Sequence, residues 1–177
     1  LTDIPLHGHQ EDRFFHGYYD EYCYLPLYIF CGTHVLVALL RPAGIDSIVG
    51  LTDVLEQVIS QIRTRWTKTH ILLRADSGFC REELMSWVEQ RKLSDERIDY
   101  VLGLAKNSRL LEVLDPALRE AHKLYQGDGE PTRVFHEFAY QTIDSWSRSR
   151  RVIGKAECLE KGLNPRFIVT SYSTEEF

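Results

Sequence analysis

Hydrophobic positions fall into blocks along the 177 residues, and the period of each block predicts its element. Residues 22–31 are apolar and aromatic enough for a strand, with Pro26 marking an edge or a bulge because proline has no ladder N–H. Gly32-Thr33 leaves two residues before an apolar run returns over 34–40, and glycine in the first central position suits a type II′ hairpin turn. Leu51, Val54, Leu55, Val58, Ile62 and Trp66 share one face of an amphipathic helix, which Asp46 or Ser47 can cap. A strand over 70–75, a helix over 82–91 with Leu84, Trp87 and Val88 inward, and a strand over 98–105 follow. Asn107 or Ser108 caps a further helical stretch, which Pro116 is expected to break or restart. After Gly127-Asp128-Gly129-Glu130-Pro131 the pattern becomes extended, over 134–140, 151–158 and 166–172, with Gly162-Leu163-Asn164-Pro165 as the turn before the last. A hairpin followed by alternating helices and strands, then three strands, predicts an α/β fold with a mixed sheet flanked by helices.

Within that pattern one segment bears on chemistry. Ile71-Leu72-Leu73-Arg74-Ala75 runs straight into Asp76, and Ser77-Gly78-Phe79 then opens a helix. The run predicts a central strand, and a carboxylate at the C-terminal end of such a strand is rigidly held where sheet ligands bind. Asp76 also suits the simpler task of capping the helix that follows, and taken alone the window fits capping better.

Longer blocks change that balance. Pro5-Leu6-His7-Gly8-His9-Gln10, Phe14-Phe15-His16-Gly17-Tyr18-Tyr19-Asp20 and Tyr24-Leu25-Pro26-Leu27-Tyr28-Ile29-Phe30 stand at the start of the chain. Arg74-Ala75-Asp76-Ser77-Gly78-Phe79, Tyr100-Val101-Leu102-Gly103-Leu104-Ala105, Asp144-Ser145-Trp146-Ser147 and Asn164-Pro165-Arg166-Phe167-Ile168-Val169-Thr170 follow in order. Together they resemble the group 1 DDE transposase domain of bacterial insertion sequences, over nearly the whole chain. The resemblance implies a ribonuclease-H-like catalytic core over 1–106 with a truncated first strand. It also implies a helical linker and β-rich insertion over 107–172, and the start of a further part at 173–177.

The implied chemistry is cleavage of DNA at the element's ends and joining to a target, with Mg²⁺ or Mn²⁺. Two such ions about 3.5–4 Å apart stabilise the attacking and the leaving oxygen, and hard ions call for carboxylate ligands. By the family's pattern the second acid is Asp76. The first would precede Leu1, with Asp3 as a neighbouring auxiliary ligand, and the third, a glutamate, would lie beyond Phe177, since Glu175 and Glu176 lack its context. With one clear acid of three, the chain is expected to be inactive alone. Double-stranded DNA is the implied partner, and a homodimer is expected of the full-length protein.

Charge qualifies this picture. The net charge of −5 is unusual for a nucleic-acid binder, yet residues 133–166 carry seven Lys/Arg against four acids. A local basic segment can steer a phosphate backbone, although on composition alone a solvated charged surface is the better explanation. Within it, Trp146 among Arg148, Arg150, Arg151 and Lys155 can stack on an exposed base while the cations hold phosphates, or it can be a core tryptophan. Related transposases carry a DNA-contacting insertion in this region. His7, His9 and His16 suggest either a transition-metal site, DNA orientation or, first, local hydrogen bonding in a Gly-containing turn. Four cysteines without a CxxC pair argue against zinc and disulfides. No apolar run approaches the roughly 20 residues of a membrane span, and a cytoplasmic location is expected. Two rival readings remain: a stand-alone metal-dependent nuclease of the same fold, and a non-catalytic DNA-binding remnant.

Overall fold

The computed structural model describes residues 4–6, 8–17, 20–94 and 96–173. In chain order the elements are β1 (Ile4–Pro5), β2 (Phe14–His16), β3 (Glu21–Tyr24), β4 (Leu27–Cys31), β5 (His34–Leu39), α1 (Leu51–Arg65), β6 (Ile71–Ala75), α2 (Glu82–Leu93), β7 (Ile98–Leu104), α3 (Ser108–Asp128), β8 (Thr132–Tyr140), β9 (Arg150–Leu159), β10 (Gly162–Leu163) and β11 (Arg166–Thr170). A single 3-10 turn, Ser77–Phe79, links β6 to α2. The chain divides into two compact units, Leu1–Thr67 and Lys68–Phe177.

In the first unit β1, β3 and β2 form an antiparallel sheet, and Cys23, Leu25 and Ala43 are buried together. The single strand expected over 22–31 is two strands, because Pro26 separates β3 from β4 and the Leu25 N–H turns to the Arg41 carbonyl at 3.0 Å. β4 and β5 form the expected two-residue hairpin, with Cys31 opposite His34 and Gly32 at φ 59°. Along α1 the buried stripe is Leu51, Leu55 and Ile59, with Val54, Val58 and Ile62 half-buried beside it. Trp66, expected on that face, is 61% exposed, since it follows the last helical residue and its backbone has left the helix. Neither expected cap serves α1. Gly50 occupies that position, while the Asp46 carboxylate accepts the Ile48 N–H at 3.1 Å.

The second unit is built on a six-stranded sheet in the order β10-β9-β11-β7-β6, with β8 also paired to β9. Only β6 and β7 run parallel; every other pair is antiparallel. Alternate residues of a strand face opposite ways, so Tyr100, Leu102 and Leu104 share a face with Phe167 and Gly154, their register partners. The Tyr100 hydroxyl donates to Glu89 of α2, and a side chain at Gly154 would meet Leu114 of α3. Both helices therefore cover the same face of this sheet. The core between them holds Leu84, Met85, Val88, Leu110, Leu114, Val152 and Val169, all nearly or fully inaccessible.

Pro116 does not interrupt α3, which runs 21 residues to Gly129. A proline inside a helix costs about 3 kcal/mol or more. Leu110 and Leu114 before it stay in phase with Ala117, Leu118 and Ala121 after it, so packing on β8 and β9 holds the helix together. Asn107 caps it as expected, accepting the Leu110 N–H at 3.0 Å. The result is the mixed α/β architecture that the element order predicted, consistent with the ribonuclease-H-like fold that the resemblance implies. Among the described residues no helix is long and apolar enough to cross a membrane.

Candidate functional site

β6 ends at Ala75, and Asp76 is the next residue, opposite Gly103 by continuation of the β6–β7 register. β6 is the terminal strand of the described sheet rather than a central one. Because Leu73 is paired with Tyr100, Asp76 follows the phase of Leu72 and Arg74, on the face that α2 and α3 leave open, and it is exposed. Its Oδ1 accepts the Gly78 N–H at 2.8 Å, so capping of the 3-10 turn is realised. Capping does not exclude coordination, since a carboxylate offers about four lone-pair sites. A Cβ at Gly103 would come within 3.0 Å of the Ser77 nitrogen and 3.3 Å of the Asp76 carbonyl carbon. Glycine there lets the turn lie directly against β7, a constraint that periodicity does not reveal.

On the covered face a different set of acids is gathered. Glu82, Ser86 and Glu89 recur along one side of α2 and converge on Arg150, the first residue of β9. The guanidinium reaches Glu89 at 2.8 and 3.0 Å and Glu82 at 2.7 and 3.1 Å, bidentate to both. Arg148 joins Glu89 at 2.6 Å, the Tyr100 hydroxyl donates to Glu89 at 2.8 Å, and the Ser147 N–H and hydroxyl donate to Glu82. The hydrogen bonds from Arg150 hold Glu82 well below the usual carboxylate range. For Glu89 burial pushes upward, but the bonds from Arg150, Tyr100 and Arg148 outweigh it and the pKa is lowered. Burial, reinforced by Glu89, raises the Tyr100 phenol far above its ordinary value. Cys80, between the turn and α2, is pushed up to about 11 by burial and is a poor nucleophile.

A second cluster sits at the opposite ends of β6 and β7. Asp99, almost inaccessible, accepts from Lys92 at 2.7 Å and Ser171 at 2.7 Å and pairs with His70 at 2.9 Å. Tyr172 stacks on His70 and Ser171 donates to Asp99, so the residues after β11 are tied to the starts of β6 and β7. Burial alone would raise the Asp99 pKa, and these partners lower it instead.

Of the residues expected to contact DNA, Trp146 is buried, edge-on to Tyr140 with ring centroids 5.8 Å apart and Arg150 over its ring. It presents no free face for a base in this structure. Arg150 is equally enclosed, and its fork is occupied by Glu82 and Glu89. Arg148 is half exposed, Arg151 pairs with Glu137 at 2.7 Å, and Lys155 pairs with Glu157 at 3.0 Å. The basic excess read from residues 133–166 is therefore largely offset by acids, two of them supplied by α2. Glu82 and Glu89 went unnoticed in the sequence, where they share their side of α2 with Ser86 and read as a solvated helix face.

Asp3, Glu175, Glu176 and His7 lie outside the described residues, while His9 is exposed and His16 ends β2. Among the described residues no three His, Cys, Asp or Glu side chains are grouped to hold a metal. Asp76 fits a divalent ion in donor chemistry, but the described residues do not supply the number of ligands such an ion needs.

The family model for the transposase DDE domain, group 1, matches residues 1–176. The chain belongs to that family. No curated protein and no solved structure matches it. Membership supports a transposase-type, DNA-processing function for the domain.

Proposed function

We propose that this domain serves metal-dependent cleavage of DNA at insertion-sequence ends and transfer of the cut strand to a target, with Asp76 as one acid of the catalytic set. The observation that carries this reading is the coincidence of a whole-chain family match with an exposed carboxylate fixed at a strand end. Asp76 supplies an oxygen ligand of the kind Mg²⁺ or Mn²⁺ prefers, and Asp3, by the family pattern, is an auxiliary ligand. Bound divalent metal supplies charge stabilisation for the attacking and leaving oxygens of the phosphate. The residues of the chain hold and orient: the Gly78 N–H fixes one Asp76 oxygen, and Gly103 lets that turn rest on β7.

Contact with the DNA backbone is assigned to Arg148, Arg151 and Lys155, whose heads remain at least partly accessible. Surface ion pairs are weak, about 0–1 kcal/mol, so Arg151 can exchange the exposed Glu137 carboxylate for a phosphate, while Arg148 and Lys155 would reach DNA from carboxylates that are themselves buried. Binding should weaken steeply with salt as counterions are released. Trp146 and Arg150 are given no part in it, because both are enclosed.

The decisive experiment is Asp76→Asn in the protein as its gene encodes it. Loss of Mg²⁺- or Mn²⁺-dependent cleavage of the element's ends, with DNA binding retained, supports the reading. Full cleavage by Asp76→Asn sinks it. For the chain of 177 residues, weak Mn²⁺ binding that disappears in the same variant is expected by calorimetry, since one or two carboxylates hold such ions poorly without substrate phosphates. Efficient cleavage by these 177 residues alone would favour a self-sufficient nuclease.

A further inference from the structure

The outer edge of β8 is open in the described second unit. β8 pairs with β9 along its whole length, and no other strand pairs with it among the described residues. Natural edge strands are usually shortened, bulged, interrupted by proline or covered, because a free row of N–H and C=O groups invites another strand. β8 has nine residues, an unbroken register with β9, and no internal proline.

The side chains along this edge carry a symmetry. His136 is paired with Gly154, which faces α3, so Arg133, Phe135 and Glu137 project from the opposite, uncovered face. All three are exposed, Phe135 at 63%. Arg133 and Glu137 stand two residues before and two after Phe135. If two β8 edges meet antiparallel about a two-fold axis at Phe135, each Arg133 falls directly opposite Glu137 of the other copy, and the two Phe135 rings oppose each other. Sliding the centre to His136 would instead set Phe135 against Glu137, and centring on Val134 would set Arg133 against Phe135. Only the Phe135-centred register is complementary in both charge and apolar contact. Opposite-charge and aromatic cross-strand pairs contribute about 0.2–1 kcal/mol each, and like charges directly opposite are destabilising.

The existing contacts allow this. Arg133 holds Glu157 through Nε while 61% of its side chain stays exposed, and Glu137 holds Arg151 with 47% exposed. These pairs hold both side chains on the uncovered face. We propose that a second copy of this chain is the occupant of the β8 edge, joining two six-stranded sheets into one continuous sheet through an isologous interface. This inference is independent of the catalytic reading, since it uses no residue of the Asp76 turn.

The test is a charge-swap pair read by sedimentation over a concentration series. The wild-type chain is expected to form dimers. Arg133→Glu and Glu137→Arg should each lose them, because each sets like charges opposite one another in its own homodimer. An equimolar mixture of the two variants should regain dimers, as both cross-strand pairs are then opposite in sign. A merely intrachain effect on Glu157 or Arg151 would not be rescued by mixing. Should either variant fail to fold by circular dichroism, cysteine cross-linking gives the second measurement. Phe135→Cys should form an intermolecular disulfide under mild oxidation, whereas Ala139→Cys, far from its own mate in this register, should not. A wild-type monomer at every concentration, dimers unaffected by both swaps, or a mixture that stays monomeric would overturn the proposal.

Discussion

Asp76 and Glu82 stand six residues apart in sequence and have opposite fates. Asp76 is on the open face of the sheet, exposed, and spends an oxygen on a backbone N–H of its own turn. Glu82 turns to the covered face, where Arg150, Ser86 and Ser147 occupy its oxygens. An acid saturated by an arginine fork has little left for a metal, whereas Asp76 sits exposed on the side of the sheet that α2 and α3 leave open. The contrast separates a carboxylate engaged by an arginine from the candidate one more sharply than residue type does. It also explains how a domain with many acids and bases can leave few of them open to a ligand.

The strongest way to break this comparison is to remove the cation. Stripping one partner from a buried ion pair costs about 3–5 kcal/mol, because the remaining charge is left buried. Arg150→Ala should lower stability to urea by that order and loosen α2 in hydrogen exchange. An unchanged unfolding midpoint would show that Glu82 and Glu89 are not held as described. Trp146→Ala should cost a similar amount, about 3–5 kcal/mol for a buried aromatic. If that substitution instead left stability intact and reduced only DNA binding, the stacking role would return.

Smaller effects sharpen the other half. Gly103→Ala sets a methyl 3.0 Å from the Ser77 nitrogen, and overpacking of this kind costs about 1–3 kcal/mol. The expected signature is a modest fall in thermal midpoint together with chemical-shift changes centred on residues 76–79. Acid should act on the covered face. Glu82 and Glu89 have folded pKa values below their unfolded ones. Their contribution is therefore fully present above the unfolded value of about 4.3 and is lost as pH falls below it. Glu157, held at about 2 by Arg133 first and by Lys155, adds to the same trend. Urea midpoints should thus be flat above pH 5 and fall towards pH 2, and much less so in Glu82→Gln. Smallest of all is the stability effect of Asp76→Asn, within about 0.5 kcal/mol, since asparagine caps as well as aspartate. A large loss there would make Asp76 structural after all.

Period and turn chemistry determined most of the element order: the β4–β5 hairpin with Gly32 at its turn, the strand that leads into Asp76, the cap at Asn107, and the mixed sheet. These are local properties, set by side-chain phase and by which residues tolerate a given backbone angle. The continuity of α3 across Pro116 was not legible, because the intrinsic cost of proline is local while the packing that outweighs it comes from β8 and β9. Nor was the pairing of the basic segment with α2, since Glu89 and Arg150 are 61 residues apart and a carboxylate reads alike whether it faces water or an arginine. The candidate site divides in the same way. Asp76 was identifiable from its strand and its family motif, whereas its open face, the close seat provided by Gly103 and the withdrawal of Trp146 into the core depend on strand register and long-range packing. Sequence names the groups able to do chemistry, and only the tertiary fold decides which of them are already engaged.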